Sequence, residues 1–301
     1  MKLTRSEISK IVSGKVLENE SMSEHTTFHI GGPCDFYVEV KTIAELQKLV
    51  KLCLVKKISY QVIGFGSNIL VKDKGIRGIV IRLAGALSSL MFIPKKNSVI
   101  AGGGCALQLF VKKCADNGLS GADSLVGIPG TVGGAVVMNV GTKDGNIGSL
   151  IKSVTVMNEK GEIRKIGKKS LKFSYRSSNI SPKSIIISVE FLLMKKSKKE
   201  IVKNLNKLMQ YRVKTQPIGF HNAGCIFKNP VGDYAARLID EAGLKGASVG
   251  DAMVSKLHAN FINNTDNAKA DDVLKLIAKI QKKVKEKFNK KLELEIKVVG
   301  K

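Results

Sequence analysis

Apolar residues recur at helical spacing in five stretches of the chain. Ile43, Leu46, Leu49, Val50 and Cys53 form one stripe, and Thr42 with Glu45 stands where a capping box would open that helix. A second helix is predicted over about 107–117, with Gly118 placed to end it in a left-handed cap. A third follows the charged run 195–200, with Ile201, Val202, Leu205, Leu208 and Met209 as its apolar positions. Asp233 stands as the cap of a short helix carrying Ala235, Leu238, Ile239 and Ala242, ended by Gly243. The longest, about 269–287, turns Val273, Ile277, Ile280 and Val284 inward.

Between these lie strand patterns at 60–63, 98–101, 184–193 and 292–299. A further strand, 78–83, alternates poorly and is expected to be buried on both faces. Residues 152–166 read as a hairpin turning at Asn158-Glu159-Lys160-Gly161. Residues 1–25 read as a short helix and a polar loop, and no repeat or low-complexity tract interrupts the order.

At 301 residues the chain is about twice the usual domain length, so two or three packed units are expected. Hydrophobic residues at 44% and charged residues at 25% match a globular protein rather than a disordered one. With no Trp and 5% aromatics, the core rests on Ile, Val, Leu and Ala. The net charge of +25 comes from Lys spread along the whole chain. A nucleic-acid binder would concentrate Arg with aromatic residues interleaved, so the charge reads as a Lys-dressed surface that also suits phosphate-bearing ligands. Five cysteines (Cys34, Cys53, Cys105, Cys114, Cys225) are odd in number and none are paired at metal-ligand spacing. Reduced thiols in a cytoplasmic protein without a metal site are expected. The apolar stretches break before the roughly 20 residues a membrane span needs, so no membrane insertion is expected.

Two glycine-rich segments carry the chemistry. Gly64-Phe65-Gly66-Ser67-Asn68 joins two strand patterns, so it is not the dinucleotide fingerprint that points a helix at a pyrophosphate. It could form a nest of backbone N–H groups, with Ser67 and Asn68 adding donors. Alone, it is explained as well by a glycine hairpin. The second segment, Gly127-Ile128-Pro129-Gly130-Thr131-Val132-Gly133-Gly134-Ala135, has almost no side chains to fill space. A flat ligand or another backbone must approach it closely. Two such loops favour a dinucleotide.

These segments, with several others, resemble the UDP-N-acetylenolpyruvoylglucosamine reductase family. The others are Thr26-Thr27-Phe28-His29-Ile30-Gly31-Gly32-Pro33, Ser174-Tyr175-Arg176-Ser177-Ser178 and Ala223-Gly224-Cys225-Ile226-Phe227-Lys228-Asn229-Pro230. Leu238 to Gly246, His258-Ala259-Asn260-Phe261 and Leu292-Glu293-Leu294-Glu295-Ile296 follow in the family's order. The resemblance implies an α+β fold: a two-lobed FAD-binding domain of the vanillyl-alcohol-oxidase/PCMH type plus a smaller α+β substrate domain. The implied division is an N-terminal segment 1–25, an FAD-binding domain 26–195 with lobes of about 26–85 and 86–195, a substrate domain 196–291, and a C-terminal strand 292–301.

It also implies non-covalent FAD held by Ile63, Gly64, Phe65, Gly66, Ser67, Asn68 and Ile69 on one loop. Gly127, Ile128, Gly130, Thr131, Gly133, Gly134 and Ala135 would hold it on the other. NADPH would donate hydride to a UDP-sugar enolpyruvyl ether in peptidoglycan synthesis, in a cytoplasmic monomer. Arg176, Cys225 and Glu295 would be catalytic, with Tyr175, Lys228 and Asn229 at the substrate. The short interval between Gly141 and Tyr175 resembles the compact branch of the family. Two departures stand out: Cys225 where Ser is commoner, and Lys143 where an aromatic residue often stands.

Taken singly these residues would be unremarkable. An Arg after Tyr in a loop is usually an ion-pair partner, a lone Cys a small core residue, and Glu295 alternates with Glu293 like a solvated strand face. Set inside the family's motifs they read otherwise, as the resemblance implies: the enolate-like charge of that reaction calls for a cation with a planar fork, and its carbon for a proton donor. His258 is explained equally by packing, and Asp240 and Glu241 read as exposed helix charges. The competing readings are a flavin oxidase or dehydrogenase of the same superfamily and a basic nucleic-acid binder.

Overall fold

The strand Ile185–Leu192 is buried along nearly its whole length, and its two faces serve two different cores. Ile186, Val189 and Phe191 pack with Phe110, Val136 and Val154, whereas Ile185 and Ile187 pack with Leu46, Val50 and Ile81. That double burial is why its sequence is apolar without alternation. The computed structural model describes residues 3–142 and 144–301; Lys143, noted above as a departure, lies outside them.

The chain divides into two compact units. The first comprises the chain up to Glu18, Phe36–Gly64 and Gly78–Gln210. Its five-stranded sheet runs Ile163–Gly167, Ile151–Met157, Ile185–Leu192, Ser98–Gly102, Leu90–Ile93, all neighbours antiparallel. A four-stranded sheet has the order Val16–Ser21, Pro33–Val40, Ile76–Leu83, Tyr60–Val62, the last pair parallel. Helices α1 (Arg5–Ser9), α2 (Ile43–Lys56), α3 (Leu107–Asp116) and α4 (Val132–Val137) and most of α5 (Lys198–Thr215) belong here. Thr42 and Glu45 form the expected capping box on α2, and Leu46, Leu49, Val50 and Cys53 are buried. Ile43 instead lies 41% exposed, because the first turn overhangs the core. Gly118 follows α3 at φ +67°, as its cap role requires.

The second unit is discontinuous: Asn19–Asp35, Phe65–Arg77 and Tyr211–Lys301. Phe28, Ile30 and Leu70 sit in one core with α6 (Ala235–Glu241), α7 (Ala270–Phe288) and the sheet Ser248–Val249, Ala252–Val254, Ile262–Asn264. Asp73 caps α7 from far along the chain, accepting the N–H groups of Ala270 (2.9 Å) and Asp271 (3.1 Å). The expected boundary at residue 195 is corrected by this packing. Ile201 is buried and Leu205 packs on the core of Phe110 and Phe191, so the start of α5 stays with the first unit. The expected strand 292–299 is shorter: Lys297–Val299 pairs in parallel with Ile69–Val71, and Leu294 makes a single bridge to Phe227. Asp233 does not cap α6. Asn229 Oδ1 accepts the Ala235 N–H (3.0 Å), and Asp233 pairs with Arg237.

Glu190, on the inner strand of the five-stranded sheet, is buried but lies 2.9 Å from Lys152 Nζ and 3.0 Å from Lys165 Nζ. The Lys152 hydrogen bond, with those from Lys165 and Ser153, takes its carboxyl from an ordinary 4.5 down to about 2. A depressed acid stabilises the fold above its unfolded value, and that stabilisation is lost as pH falls through the folded one. Glu190→Gln is therefore expected to lower Tm at pH 7. In thermal scans the gap to the native chain should close between pH 4.5 and 2; a gap that persists at pH 2 would mean the loss is packing, not charge.

Candidate active site

In the first unit, the 127–135 segment is stitched to the start of α3. Leu107 N–H donates to Gly130 O (3.0 Å), Val132 N–H to Cys105 O (2.8 Å) and Gly133 N–H to Gly103 O (2.8 Å). Gln108 braces the same loop from its side chain, donating to Ile128 O (2.6 Å) and accepting the Gly127 N–H (2.9 Å). Thr131 then caps α4, a short helix that the sequence pattern hid among glycines, by accepting the Gly134 N–H.

The glycines divide by what approaches them. A Cβ on Gly64 would lie 2.6 Å from Thr131 Oγ1, and one on Gly133 would lie 2.9 Å from Gly103 O. In the second unit, a Cβ on Gly66 would come 2.7 Å from Thr26 Cα, and its φ is +63°. At these three positions the protein's own atoms demand glycine. Gly134 differs: it is exposed, and the nearest atom to a Cβ there is Thr131 Oγ1 at 3.6 Å. That position leaves room beside a run of backbone amides. Of the remaining loop residues, Ile63 and Ala135 are buried, Phe65 is exposed, and Ser67, Asn68, Ile69, Gly127, Ile128 and Gly130 are half-buried.

Arg176 also lies in the first unit, in the two-residue turn between Phe173–Ser174 and Ser177–Ser178. Its φ is +54°, a left-handed conformation that costs a non-glycine residue about 1 kcal/mol. Its Nη1 donates to Gly141 O (3.3 Å), and the guanidinium sits 5.2 Å from the Tyr175 ring. Asn139, itself at φ +43°, fixes the turn by donating to Ser174 O (2.9 Å) and accepting the Gly148 N–H (3.1 Å). An Asn that follows a small helix and tolerates αL was the signal that sequence reasoning passed over.

In the second unit, the chain from Cys225 to Lys228 lies between two others. Cys225 bridges Phe261, and Ile226 N–H donates to Asn260 O (2.8 Å). On the other side, Glu295 N–H donates to Ile226 O (2.8 Å) and Lys228 N–H to Glu293 O (2.8 Å). Cys225 and Glu295 are both half-buried on these adjacent segments, Glu295 being paired with Ile226, the residue after Cys225. Asn68 of the glycine loop joins them by donating to Glu295 O (3.2 Å).

Asn260, unassigned from sequence, clamps this arrangement. Its buried carboxamide accepts the Phe227 N–H (2.9 Å) and donates to Phe227 O (2.8 Å). Lys228 Nζ is 3.6 Å from Glu293 Oε2, and Asn229 has one amide end committed to α6. His258 Nδ1 accepts the Asn260 N–H (3.3 Å), and burial pushes its imidazole below the ordinary value, which favours the neutral ring. Cys34, Cys53 and Cys105 are buried and pushed up to about 11, and Cys114 to about 12. Cys225 is the cysteine left half-buried.

A family model for the C-terminal domain of UDP-N-acetylenolpyruvoylglucosamine reductase matches residues 216–299, and one for an FAD binding domain matches residues 34–167. The chain is 42% identical over 297 residues to the UDP-N-acetylenolpyruvoylglucosamine reductase of Carboxydothermus hydrogenoformans, with 98% of both chains covered. To that of Bacillus licheniformis it is 40% identical over 296 residues, covering 98% of this chain and 97% of the other. The crystal structure of UDP-N-acetylenolpyruvylglucosamine reductase from Thermus caldophilus superposes with a TM-score of 0.82 at 39% identity, covering 95% of this chain and 99% of that one.

Proposed function

The chain belongs to the UDP-N-acetylenolpyruvoylglucosamine reductase family, and on that premise we propose that it reduces UDP-N-acetylglucosamine enolpyruvate to UDP-N-acetylmuramate with NADPH. Beyond the family, one observation supports the reading: the half-buried Cys225 and Glu295 stand on adjacent backbone-paired segments, Glu295 bonded to Ile226, with Asn260 clamping Phe227 between them. The residues present suit FAD at the two glycine loops, because Gly134 is open where Gly64 and Gly133 are filled by protein atoms.

Bound there, FAD would supply the hydride chemistry that links NADPH to the terminal methylene carbon of the enol ether. Arg176 offers its fork to the substrate carboxylate, where negative charge develops. The bond to Gly141 O and the Tyr175 ring hold that guanidinium beside the turn before substrate binds. Cys225 gives its S–H proton to the carbon beside the carboxylate. Glu295, on the paired segment, stabilises or relays that proton, and Lys228 with Tyr175 holds the phosphate-bearing part of the substrate. No helix among the described residues is long and apolar enough to cross a membrane.

Purified protein should show flavin absorbance, bleach with NADPH, and recover its colour on anaerobic addition of the enolpyruvyl UDP-sugar. Bleaching without recovery would defeat the substrate assignment. At the loop, Gly134→Val is expected to fold, since nothing occupies its Cβ position, yet to purify colourless. Gly134→Ala should raise the Tm of the flavin-free protein, because Ala is favoured over Gly in a helix by about 0.5–1 kcal/mol. Full flavin occupancy in the Val variant, read from the 450 nm to 280 nm absorbance ratio, would move the cofactor elsewhere.

A further inference from the structure

His258 is a half-buried titratable side chain that takes no part in the proton transfer described above. It stands on the turn between the strands Ala252–Val254 and Ile262–Asn264. Ser255 N–H donates to Phe261 O (2.9 Å) and Phe261 N–H to His258 O (3.0 Å), which closes the turn. Ser255 Oγ accepts the N–H groups of Leu257 (3.2 Å) and His258 (3.3 Å). The amide of Asn260 goes instead to the imidazole, donating to His258 Nδ1 (3.3 Å). A ring nitrogen that accepts carries no proton, so the neutral ring bears its hydrogen on Nε2. Asn260 then makes three bonds to the chain that follows Cys225. Its O accepts the Ile226 N–H (2.8 Å), and its carboxamide holds the Phe227 N–H (2.9 Å) and Phe227 O (2.8 Å). His258 thus fixes the residue that fixes the segment carrying Cys225.

We propose that His258 is a positioning residue for the Cys225 segment: the Nδ1 lone pair of its neutral ring holds the turn from which Asn260 clamps Phe227, and protonation of that nitrogen loosens the clamp. The catalytic consequence rests on Cys225 as the proton donor. An imidazolium would set Nδ1–H against the Asn260 N–H, donor facing donor, and the amide would lose its acceptor inside a part-buried turn. Burial foremost, with the charge of Lys245, holds the ring below its ordinary 6.5. The clamp is therefore whole above pH 6.5 and is lost as pH falls through the lower folded value. The charged and titratable groups on the segments around it are Lys245, held by Asp240 (2.6 Å), Lys256, Cys225, Glu295 and the Lys228–Glu293 pair. Phe261 presents only a ring, edge-on at 4.8 Å. All of these stay in place in the variants that test the clamp.

The test follows hydrogen exchange of the Phe227 amide, the N–H that the clamp holds, in the native chain, His258→Asn and His258→Leu. Asn keeps an acceptor two residues before the Asn260 N–H and does not titrate, whereas Leu has no acceptor. In the native chain the protection factor should fall about tenfold as pH drops from above 6.5 to about 4.5. His258→Asn should hold it level, and His258→Leu should stay low throughout. Reoxidation of reduced flavin by the enolpyruvyl UDP-sugar, in single turnover, should slow below pH 6.5 in the native chain, and His258→Asn should shift that limb to lower pH. Bleaching by NADPH should keep one pH profile in all three. A side chain that merely fills space would leave both profiles where they were. An equal fall of protection in the native chain and His258→Asn, or native protection in His258→Leu at neutral pH, would overturn the proposal. If the Leu variant does not fold, the comparison with Asn decides alone. Native turnover in Cys225→Ala would strike the donor role instead, while exchange at Phe227 still decides whether His258 holds the segment.

Discussion

Cys225→Ala is expected to leave flavin reduction by NADPH at its native rate and to cut product formation by about two to four orders of magnitude. Removing a general acid affects only the step in which its proton moves. The first half-reaction passes hydride without that proton, so stopped-flow bleaching should be unaffected. Cys225→Ser should keep substantial turnover, since the recipient carbon is a strong base and the segment's geometry, set by Asn260 and Glu295, is unchanged. A thiol also brings vulnerability: Cys225 is half-buried, and oxidants or alkylating agents should inactivate the native chain but spare the serine variant. If the alanine variant makes product at the native rate, Cys225 is only a packing residue and the proton comes from elsewhere, Glu295 being the nearest candidate.

The elements were legible where one face decides burial. The stripe of α2, the stop at Gly118, the hairpin 151–167 and the inner face of α7 all follow from periodicity and caps. An α+β chain with an FAD-binding domain is likewise borne out. Illegible was what depends on partners distant in sequence. Phe28 and Leu70 look like ordinary apolar residues until they share a core with α7, and that contact makes the second unit discontinuous. Asp233 is a better cap than Asn229 by local rules, but the chain from Lys228 to Pro230 delivers Asn229 to the helix first.

The site divides in the same way. Motifs placed Arg176, Cys225 and Glu295, yet single-residue physics favoured a bland role for each. The structure supplies what spacing could not: a strained turn at Arg176, and a backbone pairing that joins the segments carrying Cys225 and Glu295. It also decides what approaches two of the glycines. Gly66 and Gly133 are held by their own protein neighbours, so a valine at either should disturb folding before it disturbs a ligand. Asn139 and Asn260 went unassigned because an Asn in a loop or short strand predicts a turn equally well.

Arg176 gives the clearest separation of stability from chemistry. At φ +54° the backbone prefers glycine, so Arg176→Gly should match or exceed the native Tm, with the relief of αL strain offset in part by a more flexible unfolded chain. The same variant removes the guanidinium, and reoxidation of reduced flavin by substrate should fall by about two to three orders of magnitude, as for loss of a group that stabilises developing negative charge. Arg176→Lys keeps a charge but not the fork, so its loss should be intermediate. Bleaching by NADPH should remain native in both. Two measurements decide the matter, a thermal scan and single-turnover kinetics of each half-reaction. Equal slowing of both half-reactions, or a Tm well below native in the glycine variant, would mean that Arg176 supports the fold or the cofactor through its Gly141 and Tyr175 contacts rather than meeting the substrate carboxylate.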